Sequence, residues 1–203
     1  MRIVLLAATV VTIASFLLWV TFLGVWPVIG DVGGSSMEPN IHSNEQILFA
    51  QPTKVGPSAR HSGVTTVNEG REIGYRSFGY YGEVIAFKND DDTLILHRAS
   101  FWVEEGENWL KKSNKSALPE QATCNSLSSC PAEKDGFITK GDGNELYDQV
   151  NGVSDIVETD NIVASGVMKV PAREIRLVSF SFLIVILLSG ALSYLLSSGD
   201  SEE

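Results

Sequence analysis

The chain has 203 residues, enough for one domain of ordinary size and a little more. Its 15 Lys and Arg face 25 Asp and Glu, a formal net charge of −10. That balance argues against nucleic acid as a partner, because such binders concentrate Lys and Arg to neutralise phosphates. Ile3 to Gly30 carries no charged residue over 28 positions, and Leu177 to Gly199 none over 23. About 20 apolar residues span a bilayer as a helix. The sequence therefore predicts a transmembrane anchor over 1–30, and a transmembrane helix with a short acidic tail over 173–203. A cleavable signal peptide fits the first stretch less well. Its apolar core would run about 7–15 residues and end in small residues, whereas this one is longer and closes on Trp26-Pro27-Val28-Ile29. Two spans put both termini on one side, and Arg2, Arg173 and Arg176 leave open which side that is.

Between the spans, residues 31–172 form a polar domain of 142 residues that can bury its own core. It carries 12 Lys and Arg against 21 Asp and Glu, the acidity of a solvated surface. In chain order the expected strands are 46–50, 83–87, 93–96, 100–103, 136–139 and 162–170. These are short apolar or β-branched runs separated by turn residues such as Lys88-Asn89-Asp90-Asp91-Asp92. No window of the domain shows a helical period, so the expected fold class is all-β, a partial barrel or sandwich flanked by the two transmembrane helices. The polar stretch 52–79 reads as an inserted hairpin or mobile loop. Cys124 and Cys130 flank a polar tract and are too few for a closed four-cysteine zinc site. A disulfide and a pair of free thiols stand as alternatives.

Three places hold residues able to do chemistry together. Gly33-Gly34-Ser35-Ser36-Met37-Glu38-Pro39 makes a tight turn in which a hydroxyl and backbone amides converge, as a nucleophile and oxyanion hole require. On its own it reads more simply as a linker. His97, at the end of an apolar run, would have its ring held by a strand. His42 and His61 lie among loop residues and read as solvent-exposed bystanders. Lys140-Gly141-Asp142-Gly143-Asn144-Glu145-Leu146-Tyr147-Asp148 supplies two aspartates six residues apart but lacks the ligands of a calcium loop. A serine, a histidine and an aspartate thus occur in that order. The imidazole would take the hydroxyl proton, and a carboxylate would fix its tautomer. No metal or other cofactor is expected.

Ser36-Met37-Glu38-Pro39, Gly82-Glu83-Val84-Ile85-Ala86-Phe87, Ile95-Leu96-His97-Arg98, and Thr139-Lys140-Gly141-Asp142 with Asp148 resemble, in order and approximate spacing, the motifs of type I signal peptidases. Val167-Met168-Lys169-Val170-Pro171 looks like that family's last strand. Histidine at the base position is similar to the archaeal and endoplasmic-reticulum type, where bacterial enzymes carry lysine. The resemblance implies Ser36 as nucleophile, His97 as general base, Asp148 as the carboxylate orienting the imidazole, and Asp142 in a supporting role. It implies oxyanion support from the Ser36 amide and Ser35, since Gly34 offers no side-chain donor. Gly143 departs from the family pattern and removes one side-chain amide. The implied activity is membrane-bound serine endopeptidase action on signal-peptide-bearing preproteins, cutting after small residues.

Further expectations follow. The chain would be a multi-pass protein of the cell membrane with its catalytic domain on the extracytoplasmic face, and its partners the bilayer, preproteins and a secretion translocon. Ser36 follows Gly30 by six residues, so the nucleophile is expected near the bilayer surface. Substrate would be held as an added β-strand, with Met37 and Glu83, Val84, Ile85, Ala86 and Phe87 lining its pockets. A membrane-anchored non-catalytic β-domain and a serine peptidase with other substrates are the alternatives.

Overall fold

A computed structural model describes residues 9–10, 13–18, 21–22, 24, 29–58 and 60–171. Among the described residues eight strands run in the order β1 (Ile29–Asp31), β2 (Gln46–Ala50), β3 (Arg76–Ser77), β4 (Tyr80–Tyr81), β5 (Val84–Lys88), β6 (Leu94–Val103), β7 (Gly136–Lys140) and β8 (Ile162–Val170). Two short helices join them, α1 (Val67–Ile73) and α2 (Asp148–Asn151). Six strands form one sheet in the order β1-β2-β8-β5-β6-β7, and β3 pairs with β4 as a separate hairpin. The β1–β2, β5–β6, β5–β8 and β6–β7 ladders are antiparallel. Val25–Lys169 forms one compact unit that contains all of this sheet but the last residue of β8.

The core divides into three clusters, each fed by alternate side chains of the strands. Met37, Ile41, Ile47 and Val84 pack on one side of β5, and Ile85 and Phe87 join Ala99 and Phe137 on the other. The third cluster gathers Phe101, Trp109, Ile138 and Tyr147. There the Trp109 indole is fully buried and donates to the Ser129 carbonyl at 2.7 Å, which satisfies its one polar atom. This cluster also buries Cys130, which is joined to Cys124 by a disulfide.

Two sequence expectations meet different structure. The stretch 52–79 holds two 3₁₀ turns, the helix α1 and strand β3. Helix α1 starts at a capping box, where the Thr66 hydroxyl accepts from the Glu69 amide and Glu69 accepts from the Thr66 amide. The runs 93–96 and 100–103 belong to one ten-residue strand, β6, with a register shift between Ala99 and Phe101 that absorbs an extra residue.

The two flanking transmembrane helices, and with them the placement as a multi-pass membrane protein, require correction. Among the described residues no helix is long and apolar enough to cross a membrane. The 28-residue uncharged run is not one helix. Helical residues are described at 9–10, 13–18 and 21–22, then a turn at Gly24 with φ of 73°, and by Ile29 the chain is a strand paired with β2. Apolarity alone does not separate a spanning helix from a run that ends in a sheet. The second expected span, Leu177 to Gly199, lies outside the described residues.

Candidate active site

Ser36 sits in the connection between β1 and β2, and that connection is tied down at several points. The Glu38 amide donates to the Ser35 carbonyl at 3.0 Å, and the Ile41 amide to the Met37 carbonyl at 2.9 Å. Met37 and Ile41 are buried and anchor the turn in the core. At its base, the Val32 amide donates to the Glu45 carbonyl and the Asn44 amide to the Val32 carbonyl. The turn is therefore built structure, unlike a linker. A second turn presses against it: the Gly143 amide donates to the Ser36 carbonyl at 2.8 Å. A Cβ at Gly141 would lie 2.6 Å from the Ser36 carbonyl oxygen, and one at Gly143 would lie 2.7 Å from that of Glu38. Only glycine permits this approach.

His97 and Arg98 are consecutive on β6, so their side chains leave the sheet on opposite faces. His97 meets Ser36 and Asp148. Its Nε2 is 2.8 Å from Ser36 Oγ, and its Nδ1 is 2.7 Å from Asp148 Oδ2. In the tautomer with hydrogen on Nδ1, the ring donates to the carboxylate and accepts from the serine hydroxyl. The His97 side chain is 5% exposed and that of Asp148 is 0%, so the carboxylate acts on the ring with little water between them. Asp148 opens α2, next to Tyr147, whose ring packs edge-on against Phe101 and Trp109. Tyr147 Oη also accepts from the Asn114 amide at 2.8 Å. Asp148 Oδ1 is buried and has no hydrogen-bond partner among the described residues. The His97 ring is thus the side chain that meets this carboxylate.

Arg98 goes to the other carboxylate. Its Nε and Nη2 donate to Asp142 Oδ1 and Oδ2 at 2.7 and 2.6 Å, a two-pronged pair buried on both sides. Asn40 donates to Asp142 Oδ2 at 2.9 Å. Arg98 Nη1 donates to the carbonyls of Ser77 at 2.9 Å and Gly82 at 2.8 Å, so its charge is matched to its surroundings. Asp142 accordingly joins the turn holding Gly143 to β6 and, through Asn40, to the turn that carries Ser36. It makes no hydrogen bond to His97 or Ser36. Lys140 donates to the carbonyls of Gly141 and Asn144, closing the same turn. Burial lowers its ammonium pKa, against the opposing pull of Asp142 and Asp148.

Ser36 and His97 open onto a cleft of about 540 Å³ whose wall includes Val32, Gly34, Met37, Ala86 and Leu96. Two strand edges face it. The β6–β7 ladder stops at Arg98 opposite Lys140, so 94–97 pair with β5 alone, and β1 is the sheet's edge strand. Three strands separate β1 from β6 in the sheet, yet both border the one cleft, so the sheet curls round it. Ser36 borders the cleft with its backbone amide free of hydrogen bonds among the described residues, whereas the neighbouring Ser35 is exposed and does not line the cleft. Gly34 borders the cleft with open space where a side chain would project.

Of the residues expected to line substrate pockets, Ala86 and Met37 border the cleft. Val84, Ile85 and Phe87 lie in the core clusters, and Glu83 is fully buried. The Glu83 carboxylate accepts from the Thr65 amide at 2.9 Å and from Ser165 Oγ at 2.7 Å. Burial pushes its pKa up despite these bonds. His42 stays exposed beside Glu38, whereas His61 stacks on Trp102 at 4.2 Å between ring centroids. No protein-family model matches the chain, and no curated protein matches its sequence. Arg98, Asn40 and the Gly143 amide were without assigned roles in the sequence. Arg98 alone carried a signal, a cation one residue from His97 and thus on the opposite face of the strand.

Proposed function

We propose that the protein is a serine endopeptidase of the signal-peptidase type, removing signal peptides from preproteins after small residues. The observation that carries this reading is the unbroken path from Ser36 Oγ through His97 to Asp148, at 2.8 and 2.7 Å, opening onto an apolar cleft. His97 Nε2 takes the hydroxyl proton as Ser36 Oγ adds to the scissile carbonyl carbon. The oxyanion is met by the Ser36 amide, and the Ser35 hydroxyl is the candidate for a second donor. Asp148 steadies the imidazolium, which then gives its proton to the departing amine. Water, deprotonated by the same ring, hydrolyses the acyl-serine and restores the hydroxyl. The residues before the bond would lie as a strand between the edges of β1 and β6. Ala86 and Leu96 are cross-strand partners on the wall, and they favour small apolar side chains.

The test is a purified preprotein incubated with the protein and with its Ser36→Ala variant, the products mapped by mass. Cutting at the signal junction by the first alone is the expected result. No cutting by either favours a non-catalytic domain, and cutting only at other bonds favours a different peptidase.

A further inference from the structure

A second cavity of about 680 Å³ lies beyond the 141–144 turn, and Asn144 borders both it and the apolar cleft. The two differ in chemistry. The second is bordered by Arg71, Lys112 and Lys140, with Asn40, Asn68 and Asn114. Asp142 also borders it but is held by Arg98, and Lys112 is paired with Glu107. Glu145 borders it as well, and Arg71 and Lys140 form no ion pair among the described residues, although Asp142 and Asp148 act on Lys140 from a distance. Arg71 donates to Tyr80 Oη at 2.8 Å and Lys140 donates to backbone carbonyls. Arg71, Arg98, Lys112 and Lys140 against Asp142 and Glu145 leave this lining with more cations than carboxylates, on a chain with a net charge of −10.

We propose that this cavity receives the residues following the scissile bond and selects acidic side chains among them. The inference rests on the peptidase reading above. Cleavage at Ser36 divides the substrate in two. The acyl half stays esterified to Ser36, and the amine half, protonated by His97, must depart. The apolar cleft suits the first half. The second half meets a polar cavity that adjoins the cleft across the Asn144 rim. Amide side chains there can hydrogen-bond an extended backbone, and Arg71 and Lys140 attract carboxylates against the repulsion of the domain as a whole.

The test uses peptides sharing one acyl half and carrying Asp, Asn or Lys at the second and third positions after the bond. Wild type should cut them in the order Asp, Asn, Lys, with a ratio on the order of fivefold per step in kcat/KM, falling with added salt. Arg71→Glu should reverse the order, and Arg71→Gln should flatten it. An order unchanged by either variant overturns the proposal. A second arm keeps the two readings apart. Ser36→Ala protein is titrated with a fluorescent acidic peptide representing the amine half. Binding weakened by Arg71→Glu, in a protein whose wild type cuts nothing, sustains the cavity assignment and sinks the peptidase reading. No cutting and no Arg71-dependent binding sinks both.

Discussion

Asp142 and Asp148 stand six residues apart, and the alternation of β6 decides what each does. His97 leaves one face of the strand toward Asp148, and Arg98 leaves the other toward Asp142. Their amide variants should therefore fail differently. Asp148→Asn can no longer hold the imidazole in its working tautomer, and kcat should drop by about four orders of magnitude with stability little changed. Asp142→Asn leaves the Arg98 charge buried and short of its partner, which costs on the order of 3–5 kcal/mol. It should show first in denaturant unfolding. Paired kinetics and unfolding curves on the two variants check this, and the opposite pattern would exchange their roles. Ser36→Ala and His97→Ala should each abolish cleavage, and the double variant should be no slower than either single one, because the pair acts as a unit. An additive loss in the double variant would mean the two act separately.

At the scale of elements, two turns from distant parts of the chain form the site. The Gly143 amide donates to the Ser36 carbonyl, with no space for a side chain at Gly143. Gly143→Ala should push the 141–144 turn off the turn that carries Ser36 and lower kcat on the order of 10²-fold. Equal kinetics for Gly143→Ala and wild type would show that the contact does not position Ser36. The Cys124–Cys130 disulfide closes a short loop on the Trp109 cluster. Replacing both cysteines by Ser should cost about 2 kcal/mol in chemical denaturation and leave kcat near its native value, since neither residue touches the triad. Strand β5 was legible because apolar residues run unbroken from Val84 to Phe87, and β8 because such residues make up most of Ile162–Val170. The unity of β6 was hidden by His97 and Arg98, two polar residues in mid-strand. Helix α1 was missed because it is only seven residues long and buries only Val67 and Gly70, too little to mark a period. Its signal was the Thr66-x-x-Glu69 box with Gly74 after it.

Across the whole molecule, burial of Glu83 couples stability to pH. Removal from water raises its carboxyl pKa above the ordinary 4.5, outweighing the bonds from Ser165 and Thr65. The folded protein holds this proton more tightly than the unfolded chain does. Its contribution is thus complete below about 4.5 and is lost as pH rises through the folded-state value. Glu83→Gln should gain stability relative to wild type as pH rises from 4.5 toward neutrality, read from unfolding free energies. Curves that stay parallel would show that the burial of charge here costs nothing. The site itself was legible as three residue types in order, but not as a contact. Ser36 and Asp148 are separated from His97 by 61 and 51 residues, and only the curl of the sheet joins them. The apolar N-terminal run was legible as apolar, not as the strand in which it ends at Ile29.

The central claim is that His97 makes Ser36 a nucleophile toward an acyl group that follows a small residue. It is tested most directly by treating the protein with an alanine-ended peptidyl fluorophosphonate and mapping the adduct by mass. The account predicts one adduct, on Ser36, formed much more slowly in His97→Ala and absent from Ser36→Ala. An adduct on any other residue, or labelling of Ser36→Ala at the wild-type rate, would contradict it.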